Sequence, residues 1–221
     1  LCEFPINDEI DMRDQALIAF TALTGMRDSA IVTTSLQCFD IQNLQVDQSP
    51  KLGVKTKFSK QIQTTIFQID DKLVDIVVSW YKHLVSEKKY SLTDPLFPAT
   101  ELGQVSAQHI AFEVKGVSKH FWSNTGPMRK IFQERSKQTG MPYFSPHKFR
   151  HFLINEVQKH ISSIEQLKAL SQNMGHENMG TTFHGYGAIS SGRVSEIVNT
   201  IDFSGKPTNK DQQAMIQRVT K

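Results

Sequence analysis

Cysteine is scarce. The 221 residues hold two, Cys2 and Cys38, with no CxxC or other ligand-like spacing. A disulfide framework is therefore not expected, and a reducing compartment is the default. No apolar run approaches the roughly 20 residues a membrane helix needs. The opening Leu1-Cys2-Glu3-Phe4-Pro5 has neither a basic n-region nor an apolar h-region, so it does not read as a secretion signal. It also lacks an initiator Met, and the expectation is a fragment of something longer. Repeats and low-complexity blocks are missing. So is any large excess of one charge: 25 Lys and Arg against 22 Asp and Glu leave a net of +3. That balance permits a nucleic-acid partner without arguing for one, because clustering of charge is the useful signal.

What is present is enough apolar residue, 38%, for one sizeable core with tails. Residues 1–11 read as irregular and acidic. Residues 12–24 (MRDQALIAFTALT) read as a helix with Leu17, Phe20 and Leu23 on one stripe and Gly25 as its stop. A second helix starts near Asp28, taken as its cap. β-branched residues and alternation in DIQNLQV, VKTKF and IQTTIFQI predict a small antiparallel sheet of two or three strands. Asp70-Asp71 opens a long helix to about Lys89, with Leu73, Val77, Trp80 and Leu84 on one face. Residues 90–125 show little regularity. Helices follow over 127–138, from the Ser145-Pro146 cap through HKFRHFLINEVQKH, over 163–174, around 181–186, and in SGRVSEIVNTI. The fold class expected is mostly α with a small antiparallel β-sheet (α+β). Residues 12–204 would form the domain, with 1–11 leading into it and 205–221 a polar tail.

Several residue groups carry potential chemistry, and each has an ordinary alternative. His147 and Arg150, three apart at a helix N-terminus, would share a face and suit an anion; taken alone the pair is more often a plain surface helix. His147 and His151 have the i, i+4 spacing of some zinc sites, but the intervening Lys148, Phe149 and Arg150 disfavour a cation. His176 follows Gly175 at a turn between helices, where a capping or satisfied core histidine is commonplace. Arg27 follows the Gly25 stop and could aim its fork at a phosphate or cap carbonyls. Lys51, Lys55, Lys57 and Lys60 form the clearest basic cluster, which would ordinarily be solvated.

In order, these positions are Arg27, Lys57, His147, Arg150, His176 and Tyr186, and the series resembles the active-site set of the tyrosine recombinase and phage integrase family. TALTGMRDSAIVTTSLQCFDI is similar to the family's first motif, SPHKFRHFLIN to its second, and LSQNMGHENMGTTFHGYG to its third. The resemblance spans about residues 12–204, which it implies are the catalytic domain, and it implies that residues 1–11 are a linker or remnant of the connection to an N-terminal DNA-clamping domain. The interval from His176 to Tyr186 is ten residues where nine is usual, a trait shared by family members ending in TTF-x-x-YG. Lys55 competes with Lys57, since it lies two residues away on the same strand face.

The resemblance implies a site-specific DNA recombinase working through a 3′-phosphotyrosine, with no metal and no cofactor. Arg27 and Arg150 would clamp the scissile phosphate, helped by His176. Tyr186 would attack, His147 would accept or orient its proton, and Lys57 would protonate the leaving 5′-oxygen. Lys55, Lys60 and Lys148 would contact the DNA nearby. Double-stranded DNA, four copies assembled on it, and a bacterial, cytoplasmic, nucleoid-associated setting are implied, with no membrane partner. SGRVSEIVNTI would pack either on a neighbouring protomer or in cis. The alternatives are a type IB topoisomerase-like or telomere-resolving enzyme, a non-cutting DNA-binding relative, and a helical protein-interaction domain.

Overall fold

The computed structural model describes residues 1–106, 109–175 and 190–201. Its centre is α1 (Glu9–Thr24), opened by the Asp8 side chain accepting from Asp11 N and closed by Gly25 at φ 57°. The helix starts three residues earlier than the apolar periodicity predicts, because a polar cap sets its first turn. It is also buried on more than one stripe: Ala16, Leu17, Ile18, Ala19 and Phe20 are all inaccessible. A helix apolar all round is a core helix. Phe20 packs edge-on against Phe39 and Phe97 with centroids 5.9 and 5.2 Å apart.

A short α2 (Asp28–Ile31) leads to an antiparallel sheet in the order β1 (Phe39–Asp40), β2 (Gln45–Gln48), β3 (Ile62–Thr65). The expected strand in VKTKF is absent. Gly53, Phe58 and Ser59 all have positive φ, which breaks the extended run and leaves residues 49–61 as a loop. Next, α3 (Asp71–Lys82), capped by Asp70, packs on α1. Its continuation, His83–Glu87, is a π-helical turn closed by Lys88 N to His83 O.

Residues 90–125 hold a hairpin that the sequence reading misses: β4 (Thr100–Ser106) and β5 (His109–Val117). Its apolar Leu102 and Val114 are 58% and 54% exposed, so the inward–outward contrast that betrays a strand is missing. Glu9 anchors its base, accepting from Val117 N (3.0 Å), His83 Nε2 (2.8 Å) and Lys88 Nζ. Burial pushes the Glu9 carboxyl up, but these donors outweigh it and hold the group below its ordinary value.

The remaining helices are α4 (Gly126–Gln138), α5 (Pro146–Gln158), α6 (Ile164–Asn173) and α7 (Ser191–Asn199). Helix α7 packs in cis: Val194, Ile197, Val198 and Ile201 are buried with Phe67, Leu153, Val157 and Leu170 in a second apolar cluster. The helix expected around 181–186 and the tail from 205 lie outside the described residues. Among the described residues, no helix is long and apolar enough to cross a membrane.

A buried charge network ties α4 to α1. Arg135 donates from Nε and Nη2 to Asp14 at 2.9 and 2.7 Å and reaches Asp11 at 2.6 Å, while Arg13 pairs with the other Asp14 oxygen. Burial raises the Asp11 carboxyl, but the hydrogen bonds from Asn7 and Arg135 outweigh it and the net shift is downward. A carboxyl with a lowered folded pKa contributes stability that is present above its unfolded value, about 3.9, and lost as pH falls through the folded value. Arg135→Met removes one partner and should cost about 3 kcal/mol in urea unfolding at neutral pH. The deficit should narrow below about pH 4, as the stranded carboxylates take up protons. A loss under about 1 kcal/mol, or a deficit constant with pH, would contradict this account.

Candidate active site

The site grows from the end of α1. Gly25 takes the left-handed conformation that stops the helix, and its missing side chain admits two neighbours. A Cβ there would stand 2.6 Å from Met174 Cε and 3.0 Å from Leu153 Cδ2. The chain ends of α1 and α6 thus meet on the side of α5. Arg27 follows in extended backbone and occupies the N-cap position of α2, its carbonyl accepting from Ala30 N and Ile31 N. Asp28, expected as the cap, is instead the first helical residue and pairs with Arg129 at 2.5 Å.

Arg150 closes the junction. It is 5% exposed on α5, with Nη1 donating to the Gly25 carbonyl at 2.7 Å and Nη2 to the Met174 carbonyl at 2.5 Å. One guanidinium therefore bridges the first sequence motif, the second and the start of the third. Burial, then the charge of Arg27, lowers Arg150 to about 10 from its ordinary 12.5. It stays charged at neutral pH. The two cations are close enough to repel, and among the described residues no carboxylate pairs with either. A buried cation without a counter-charge is costly, and an anion bridging the two arginines would remove that cost.

His147 lies one turn before Arg150, exposed in the first turn of α5, whose N-cap is the Ser145 side chain. Its Nε2 is 3.0 Å from His151 Nε2, and the rings meet edge-on at 4.5 Å. The i, i+4 spacing that prompted the metal alternative is thus occupied by a ring–ring hydrogen bond, which makes one imidazole nitrogen a donor and the other an acceptor. Lys148, between them in sequence, is exposed.

The lysine loop joins the same region through α2. Lys55 N donates to Thr33 Oγ1 (2.9 Å), and Ser29 Oγ donates to Lys55 O (3.3 Å). Lys57 and Lys55 are exposed, and Lys57 Nζ sits 4.9 Å over the Phe58 ring. Lys60 O accepts from Thr56 Oγ1, which tightens the turn. Beyond the loop, Ile62 lies against Gly175, where a Cβ would collide with Ile62 Cδ1. His176 and Tyr186 lie outside the described residues.

The residue that the sequence reading overlooks is Asn173. It is wholly buried at the end of α6, and its amide pairs with the Thr65 peptide: Oδ1 accepts from Thr65 N at 2.6 Å and Nδ2 donates to Thr65 O at 2.9 Å. Thr64 Oγ1 adds a bond to the Asn173 carbonyl and accepts from Gln48 Nε2. The sheet is thereby stitched to the residues just before Gly175. Only a polar residue two places before the Gly-His pair hinted at this.

The phage integrase family model matches residues 1–192. The chain is 24% identical over 176 residues to the tyrosine recombinase XerC of Shewanella sp. strain ANA-3, a match covering 80% of this chain and 48% of that protein. The XerC of Shewanella sp. strain MR-4 matches to the same extent. The chain thus spans about half the length of the curated relatives it matches. Among solved structures, the XerA recombinase aligns with a TM-score of 0.53 at 16% identity, over 95% of this chain and 56% of that one. The integrase of mycobacterium phage Brujita aligns with a TM-score of 0.53 at 13% identity, over 97% and 58%. These two show a shared fold: mostly helical, with small antiparallel sheets. With its family model reaching across nearly the whole described region, the chain belongs to the phage integrase family.

Proposed function

We propose that this chain is the catalytic part of a site-specific DNA recombinase that cuts and rejoins strands through a covalent 3′-phosphotyrosine. The observation that carries the reading is that Arg27 lies close enough to Arg150 to lower its pKa, while among the described residues no carboxylate pairs with either. In this reading their fixed charges hold the nonbridging oxygens of the scissile phosphate and stabilise the extra charge of the pentacoordinate transition state. The Tyr186 hydroxyl attacks phosphorus, and the P–O bond to the 5′-oxygen breaks. The phenol proton passes to His147, whose ring is steadied by His151. Lys57 protonates the leaving oxygen, and His176 donates to the phosphate. Bond energy is kept in the phosphotyrosine, so a nucleotide cofactor is not invoked. Charge neutralisation falls to the guanidinium groups, so no metal is invoked either. Lys55, Lys60 and Lys148 would contact neighbouring phosphates. The substrate is double-stranded DNA, with assembly of four copies on it and a cytoplasmic setting as further parts of the proposal.

Two measurements test this. Nicked duplexes of randomised sequence, in which the cut strand loses its short 5′-hydroxyl piece, should trap a detergent-resistant adduct. Tyr186→Phe should abolish that adduct and leave binding within about twofold, because only the hydroxyl is lost. An adduct that persists, or that maps to Tyr143, would refute the assignment. DNA affinity should also fall linearly in log–log with salt, at about −0.9 per phosphate contacted. Affinity indifferent to salt would contradict the phosphate-clamping role of these cations.

A further inference from the structure

Phe58 stands out in the loop between β2 and β3. Its ring is 70% exposed, the highest value among the large apolar side chains of the described residues. Its backbone is left-handed at φ 59°, and Ser59 follows at φ 51°. Glycine or asparagine would adopt that turn at less cost, and a polar side chain would be easier to expose. Strain of this kind at an exposed tip marks a position held for contact rather than for folding. Residues 48–69 contain Lys51, Lys55, Lys57 and Lys60 and no acid. Through Lys55 the loop is held to Ser29 of α2, which follows directly on Arg27, and to Thr33 just after that helix.

We propose that Phe58 is a wedge residue, which enters the DNA duplex beside the phosphate held by Arg27 and Arg150 and stacks on a base there. The inference rests on the DNA-recombinase reading and adds a base contact to it. An aromatic or aliphatic side chain flanked by cations is how proteins part a base step while tracking the backbone. The four lysines favour a polyanion over a protein or apolar partner. Without DNA, the Lys57 ammonium rests on the ring face by a cation–π contact. On DNA, the ammonium moves to the backbone and the ring is released to the bases. The residue next to the proposed general acid would thus sense whether a base step at the cut is open.

The test compares two labelled duplexes of one mixed sequence, fully paired or with a single central mismatch, which lowers the cost of insertion. Wild-type protein should bind the mismatched duplex at least about threefold tighter, since a mismatched base is the least costly to unstack. Phe58→Ala and Phe58→Gly should lose that preference while keeping the salt slope. Phe58→Gly should melt no lower than wild type, since it relieves the left-handed strain, so a folding defect cannot mimic the result. In Phe58→Trp the new indole should be quenched on binding DNA, against Trp80 and Trp122, which are buried. Two results would overturn the wedge and leave the DNA reading standing. One is salt-dependent binding with an equal mismatch preference in Phe58→Ala and wild type. The other is indole emission from the Phe58→Trp variant that stays unquenched once DNA is bound. Failure of wild type to bind either duplex in a salt-dependent way would overturn the DNA reading and the wedge with it.

Discussion

The architecture turns on one buried guanidinium. Arg150 joins the end of α1 to the end of α6 through two carbonyls, each a charge-assisted bond worth about 1.5–3 kcal/mol. Against that stand its own desolvation and the repulsion of Arg27, which together pull it down to about 10. A group so disfavoured in its charged form keeps its place only because the frame leaves it no alternative. Gly25 supplies that frame on one side, since a Cβ there would sit in a left-handed backbone and press on Met174 Cε and Leu153 Cδ2. The all-round burial of α1 supplies it on the other, fixing where the helix ends.

The second tether is the Asn173 amide. By pairing with the Thr65 peptide it extends the edge of β3 into the end of α6. The same strand begins at Ile62, against Gly175, and is preceded by the lysine loop. One polar side chain therefore sets the distance between the loop that carries Lys57 and the point where the chain departs toward His176. If Asn173 were apolar, the Thr65 N–H and C=O would be left without partners in a dry interior. The loop is also tied to Ser29 of α2 and to Thr33 just after it, so hydrogen bonds join the sheet and the loop to the segment that follows Arg27. His147 and the loop tip are exposed, where contact with a partner does not require the core to open.

Much of this was legible in the sequence. The Gly25 stop, the Ser145-Pro146 opening of α5, the Asp70 cap of α3 and the apolar stripe of α7 all follow from local chemistry and periodicity, whereas the packing of that stripe in cis did not. The placing of Arg27 and Arg150 beside helix boundaries was legible too, because a short motif announces each. What was not legible depended on tertiary company. The hairpin β4–β5 exposes Leu102 and Val114, so its pattern lacks a buried face. VKTKF has strand-like composition, but Gly53 and the left-handed Phe58 bend it into a loop. His151 had the spacing of a metal ligand, and only its rotamer shows it bonded to His147. Asn173 carries no local signature, since its partner Thr65 lies 108 positions away in the chain.

The central claim is that Arg27 and Arg150, neither paired with a carboxylate among the described residues, hold an anion together. Thermal unfolding in sulfate against chloride of matched ionic strength tests it most directly, comparing wild type with Arg27→Ala. Arg27 is half-exposed, so its removal should leave the fold intact and, without anion, should stabilise it slightly by relieving Arg150. A bound anion stabilises by RT ln(1 + [L]/Kd), about 2.7 kcal/mol at a hundredfold excess over Kd. The account predicts a sulfate-specific rise in Tm for wild type that is largely lost in Arg27→Ala. An equal rise in both proteins would mean that sulfate acts only through general exclusion from the surface, and the paired-arginine site would be contradicted.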